Sequence, residues 1–265
     1  MIHPVSNRKT LLFSAWLCVS CLFFFFSPIN AQKRRPVNKP QTEKRRAGNA
    51  TAIKSKTLMA AVVVEERLAV LRFEPGFAAP VLQRLRNGRE LLITNQKQVD
   101  GVTFYAVKLP PEKSGWVQAD AVVSSARAGD DARLARLIQA SDGFDKIERA
   151  ALFLENFPRS IFRPAILLLL GDLIEESAQK LSRDAKRHFE SEETRASGAP
   201  LYSFYLSYNG LDRYRRLGVN FALDRAANQF HYDGASWREI IEKHPHAAEA
   251  VEARKRLTTL NLAIK

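Results

Sequence analysis

A chain of 265 residues, 46% hydrophobic and 26% charged, carries enough apolar mass for one large or two modest packed units, which excludes a wholly disordered protein. The net charge of +13 suggests nucleic acid until it is placed along the chain: residues 32–56 hold nine Lys/Arg against Glu43 alone, and residues 57–265 keep only +3. The only cysteines, Cys18 and Cys21, lie in the leading apolar run, which excludes disulfides, thiolate metal sites and a thiol nucleophile from the body of the chain.

Arg8-Lys9, the apolar run Leu11–Phe26 and the segment Ser27-Pro28-Ile29-Asn30-Ala31 match the three regions of a secretory signal, expected over 1–31. The seven Lys/Arg between positions 33 and 46 resist translocation, so an uncleaved anchor bearing a cytoplasmic body is the alternative. Export to the periplasm or beyond is the expected localisation. Residues 32–57 have few large apolar side chains and read as a disordered basic linker, attractive to an anionic surface through residues 33–56. Interleaved aromatics for base stacking are missing there, so nucleic acid is not the expected partner.

From Ala61 onward short β-prone runs appear: Ala61–Glu65, Leu68–Phe73, Val81–Leu85, Glu90–Thr94, Val102–Leu109 and Gly115–Gln118. Pro75-Gly76, Asn87-Gly88, Asp100-Gly101 and Pro110-Pro111 separate them, and each pair has steric reasons to turn the chain. Strands this short and this closely spaced predict a small barrel or sandwich. The ordered set Ala69-Val70-Leu71-Arg72, Pro75, Val81-Leu82, Leu85, Gly88, Phe104-Tyr105-Ala106-Val107 and Gly115-Trp116-Val117 resembles the consensus of bacterial SH3-like domains. Two positions depart from it: Gly76-Phe77 follows the proline in place of small polar residues, and Phe104 stands where Trp is common. The resemblance implies a barrel over 58–125, a bacterial envelope setting, and a ligand that is a wall peptide or a protein segment. Arg72, Tyr105 and Trp116 are the groove-lining candidates, although Trp116, Phe104 and Val117 read first as core.

After Ser124-Ser125 the period becomes helical, through Leu134, Leu137 and Ile138, then Ile147, Ala150, Ala151 and Leu154, then Leu167, Leu170, Leu173 and Ile174. Asp130 and Ser236 are the expected N-caps, with Ser236-Trp237-Arg238-Glu239 in capping-box form. Ala165–Leu170 is too short to span a membrane and reads as a buried helix. Phe153–Pro158 and Ile240–Pro245 echo one another, each an apolar helix end before a proline, and resemble the helical hairpin of tetratricopeptide-like repeats. The two prolines lie 87 positions apart. That is about two and a half of the ~34-residue repeats, so a regular array is not expected. The fold class expected is therefore α+β, an SH3-like β-barrel followed by an antiparallel, tetratricopeptide-like helical domain over 126–265.

Five of the six tyrosines fall within 202–232. Tyr202, Tyr205 and Arg213 are the candidates there for a sugar- or peptide-stacking surface, against the reading that Tyr202, Tyr205 and Tyr208 pack one helix on its neighbours. His188, His231, His244 and His246 show no zinc-ligand spacing, and no cofactor is implied. Glu176-Ser177 superficially resembles a lysozyme-like transglycosylase signature, but the Gly-Leu-Met-Gln-like stretch expected downstream is missing, Leu181–Glu193 is highly charged instead, and Glu175-Glu176 reads as a solvated helix face. The expected function is non-enzymatic binding by an exported adaptor, with a wall-lytic enzyme and a membrane-tethered cytoplasmic interaction protein as the alternatives. The sequence leaves the oligomeric state open.

Overall fold

The computed structural model describes residues 58–191, 196, 198 and 200–263; the expected signal, and all of the expected linker up to Thr57, lie outside them. The first half is one antiparallel sheet built from β1 (Met59–Val63), β2 (Val70–Arg72), β3 (Val81–Arg84), β4 (Glu90–Val99), β5 (Val102–Leu109), β6 (Lys113–Gln118) and β7 (Val122–Val123), in the spatial order β3-β2-β6-β5-β4-β1-β7. The β4–β5 hairpin closes on Asp100 and Gly101, both at positive φ (51° and 77°), the conformation a tight turn between right-twisted strands demands.

Laid flat, seven strands would be about 29 Å wide. Yet Ala61, Val63, Leu71, Leu85, Leu91, Ile93, Tyr105, Val107, Leu109, Val117 and Val122 belong to a single buried cluster to which no α-helix contributes. The sheet must therefore bend over its own inner face. The hydrogen-bonded ladder nevertheless ends at β3 and β7, which do not pair with each other, so the closed barrel expected from the sequence is not found among the described residues. Gly115 belongs to this bend: a Cβ there would lie 2.6 Å from the Arg72 carbonyl oxygen and 2.9 Å from Leu71. Only glycine lets β6 approach β2 so closely.

The second half contains α1 (Asp130–Gln139), α2 (Gly143–Asn156), α3 (Arg163–Phe189), α4 (Leu201–Leu206), α5 (Asp212–Arg215), α6 (Ala235–Lys243) and α7 (Glu249–Ala263). None of the helices is long and apolar enough to cross a membrane among the described residues. The proline echo has a structural counterpart. Phe157 and His244, each preceding a proline, leave helical geometry at nearly the same angles (φ −124°, ψ 60° and φ −132°, ψ 48°), and each still donates its N–H to the last turn. A following proline pushes the residue before it out of the α region, so both helices stop there.

Three expectations are corrected. The second half is not purely helical: β8 (Phe221–Asp224) and β9 (Gln229–Tyr232) form an antiparallel hairpin whose turn carries Asn228 at φ 54°. Asp130 does not cap α1; Gly129 holds that position at φ 83°, while the Asp130 carboxylate accepts the Ser124 N–H and pairs with Arg127 and Arg133. Ser236 does not cap α6 either; Gly234 does, at φ 81°, and Glu239 pairs with Arg163 instead of closing a capping box.

Sheet and helices share one core. Val62, Val64 and Val123, from the outer face of β1, β7 and the adjoining chain, pack into the same buried cluster as Leu134, Ile138, Ile147, Phe153 and Trp237, and all described residues belong to one compact unit. Across this junction Arg149 of α2, only 3% exposed, donates to the Val64 carbonyl (3.0 Å), to the Glu65 carboxylate (2.9 Å) and to the Ser141 hydroxyl. A buried guanidinium persists only when paired in this way. On the far side, α3 and α6 cross at Gly171, where a Cβ would meet the Trp237 indole nitrogen at 2.3 Å.

Two substitutions test this packing. Arg149→Ala should cost about 3–5 kcal/mol, because it leaves the Val64 carbonyl and part of the Glu65 charge without partners. Gly171→Ala should cost about 1–3 kcal/mol through overpacking. Urea denaturation followed by tryptophan fluorescence measures both, and a loss below about 1 kcal/mol for Arg149→Ala contradicts its role as the tie.

Candidate functional site

The outer face of the sheet is divided by the helices. They cover its β1–β7 end, while the β2–β3–β6 end stays open. At that open end a small groove of about 250 Å³ is lined by Arg67, Leu68, Val70, Arg72, Phe77, Arg84, Phe104 and Gln118. Strand alternation explains the lining. Leu71, Tyr105 and Val107 point inward, so Val70, Arg72 and Phe104 point outward. Phe104 is 1% exposed and forms the floor, with Phe77 edge-on at 5.5 Å between ring centroids.

Three arginines ring that floor, each held differently. The Arg67 guanidinium grips Glu65 through two bonds, Nε to Oε1 at 2.8 Å and Nη2 to Oε2 at 3.0 Å. Arg72 donates to the Ala79 carbonyl at 2.8 Å, which anchors the loop before β3. Arg84 has no hydrogen-bond or ion-pair partner among the described residues. An apolar floor with a cationic rim suits a ligand that presents an apolar group beside a carboxylate.

Beside the groove runs an open sheet edge. All four residues of β3 are exposed, and Val81 (55%), Leu82 (49%), Phe73 (64%) and Phe77 (54%) form an apolar margin there. An edge strand with unpaired backbone groups and exposed apolar side chains is a template for an added strand.

The candidates read from the sequence are distributed unevenly. Arg72 lines the groove, and Trp116 faces it across the β2–β6 ladder as its register partner. Trp116 is half-buried on the outer face, which corrects its first reading as barrel core; Phe104 and Val117 are buried. Tyr105 is not in the groove. It belongs to the inner face, where its hydroxyl accepts from Arg127 and the guanidinium lies 5.4 Å from its ring centroid.

Among the helices the three candidates do not converge. Tyr202 is exposed on α4 under Arg225, whose guanidinium sits 4.1 Å above its ring. Tyr205 is buried against Phe230, and burial, together with the Glu190 charge, pushes its phenol up. Arg213 stacks on Phe144 at 4.7 Å and on Tyr214 at 4.9 Å. The helix carrying Tyr202 and Tyr205 ends at Leu206, so Tyr208 is not on it.

Sequence reasoning missed most of the groove. Arg67, Arg84 and Phe77 lie outside the candidate set, and the one available signal was the density of arginine in the turns flanking β2 and β3. It also missed the pairing of Glu175 with His231. Glu175 is not solvated as expected: its carboxylate takes the His231 Nδ1 at 3.0 Å and the Tyr232 N–H at 2.7 Å, whereas Glu176 is exposed. No group of three or more His, Cys, Asp or Glu side chains is placed to hold a metal among the described residues. Comparison with protein-family models, with curated proteins and with solved structures finds no match to this chain.

Acid should loosen the groove. The Arg67 side-chain hydrogen bond, aided by the Arg149 charge and opposed by burial, holds the Glu65 carboxyl below its ordinary value of 4.5. For Glu239, burial pushes upward, but the Arg163 hydrogen bond and charge outweigh it. With the folded value depressed, the stabilisation is present above about pH 4.5 and is lost as pH falls through the lower folded value. Urea midpoints should therefore drop between about pH 5 and pH 3, and Glu65→Gln should flatten that drop. A slope unchanged in the variant contradicts the assignment.

Proposed function

We propose that this chain is a non-enzymatic binding protein of the bacterial cell envelope, exported by its leading apolar segment, and that its sheet is an SH3-like barrel left open at one edge. The observation that carries the reading is the bare edge of β3 beside the groove of Arg67, Arg72 and Arg84. The self-contained inner core supports the barrel, since a curled sheet needs no helix to cover that face. The paired helix–proline–helix corners support a tetratricopeptide-like origin for the helical part, now interrupted by the β8–β9 hairpin.

The occupant is an extended peptide bearing free carboxylates, and the peptide stems of the cell wall have that chemistry. Main-chain hydrogen bonds to β3 would supply affinity, and an apolar side chain over Phe77 and Phe104 with a carboxylate on Arg72 or Arg84 would supply selection. The rim of cations favours acidic over basic peptides. A lytic role finds no support in the geometry, because Glu176 faces solvent and Glu175 is engaged by His231 and Tyr232.

The full chain should co-sediment with purified peptidoglycan, and Arg72→Glu with Arg84→Glu should weaken that binding about tenfold or more. Soluble wall stem peptides should compete, and a synthetic acidic peptide of equal length competing instead would point to a protein segment as the occupant. A photo-cross-linker at Leu82 should capture the same peptide. A reporter fused after Lys265 should be active outside the cytoplasm. Failure of both sedimentation and cross-linking, or reporter activity only inside the cell, overturns the proposal.

A further inference from the structure

A second cleft, of about 810 Å³, lies on the helical half, between α3, α4 and the β8–β9 hairpin. Its framework is explicit. β9 pairs with β8 along one edge, and on the other edge the Phe230 N–H donates to Ser182 Oγ (2.8 Å) and the Tyr232 N–H to Glu175 (2.7 Å), both on α3. The helix thus finishes a strand edge that would otherwise be bare, and it fixes the residue between, His231, over the cleft. Ser182 also donates to the Ala178 carbonyl, so its hydroxyl is fully engaged and is no nucleophile.

His231 is 9% exposed and lines the cleft. Its Nδ1 lies 3.0 Å from the Glu175 carboxylate, and its Nε2 has no protein partner among the described residues. One face of α3, at spacings of four and three, places Gln179, Arg183 and Lys186 along the same wall. Neither Arg183 nor Lys186 has an ion-pair or hydrogen-bond partner among the described residues. The Tyr205 hydroxyl, Asn228 and Gln229 add neutral polar groups, and Glu190 is the one carboxylate of the lining among the described residues.

The geometry points to a binding site for a small organic oxyanion, a phosphate monoester or a carboxylate, held by Arg183, Lys186 and the imidazole of His231. Among the described residues of the lining two unpaired cations stand against one carboxylate, and an imidazole held by Glu175 presents a further polar group at the base. Gln179, Asn228 and Gln229 suit the hydroxyl or amide groups of the rest of the ligand. This site is independent of the groove on the sheet, and it does not require the envelope reading.

The test is a titration of the isotopically labelled full chain with inorganic phosphate and, separately, with a simple dicarboxylate, at constant ionic strength, following the His231 imidazole and Arg183 side-chain signals by NMR. A saturable shift of both signals supports the site, and the titrant that binds at least tenfold more tightly names the anion class. Arg183→Ala with Lys186→Ala removes only exposed, unpaired side chains, so the fold should persist while binding weakens about tenfold or more. His231→Asn is a second variant expected to weaken binding while the Arg183 and Lys186 pair stays in place. Overturning results are a linear, non-saturating response to both titrants, or binding unaffected by the double variant.

Discussion

The fold depends on a buried charge that has no alternative partner. Arg149 sits where the end of β1 meets α1 and α2, and its guanidinium donates to the Val64 carbonyl and the Glu65 carboxylate just past β1 and to the Ser141 hydroxyl between the two helices. Taking a guanidinium out of water is costly by itself, so the groups around it are fixed in place by its need for them. Glu65 is thereby shared: one oxygen serves Arg149 inside the junction, and the carboxylate as a whole orients Arg67 on the rim of the groove. The same residue therefore couples packing of the interior to the shape of the groove.

That arrangement divides the surface. Helices cover the outer face of the sheet at β1 and β7, where Val62, Val64 and Val123 enter the helical core. The other end keeps its apolar side chains in solvent, around Phe73, Phe77, Val81 and Leu82. Sheet edges are commonly blunted with charge or proline. Here Pro80 stands before the strand, Arg84 ends it and Lys113 reaches Gln83, but Val81 and Leu82 remain bare.

Much of this was legible in the residues, and the parts that were not share a cause. Val102–Leu109 has the same bounds in the sequence reading and in the structure, because alternation and a flanking Asp-Gly turn are local signals. Helix α3 and the two pre-proline helix ends were local as well. The β8–β9 hairpin escaped because four-residue runs joined by Arg225–Asn228 lack a glycine turn, and only Asn228 at positive φ marks it. The groove and the Glu175–His231 pair escaped for a different reason. Their members are brought together by the topology across long stretches of chain, 56 residues in the second case, and no spacing rule reports such meetings. Ser236 shows a local signal losing to its surroundings: it has the capping sequence, but a glycine at positive φ took the position first.

The junction also governs how this protein can be dissected. Cutting between Ser125 and Ala126 would strip the strands of the cover over Val62, Val64 and Val123 and leave the Val64 carbonyl facing solvent without its guanidinium. The freed pieces would be sticky on the severed faces, so use of either half alone in a fusion or truncation requires redesign of that seam.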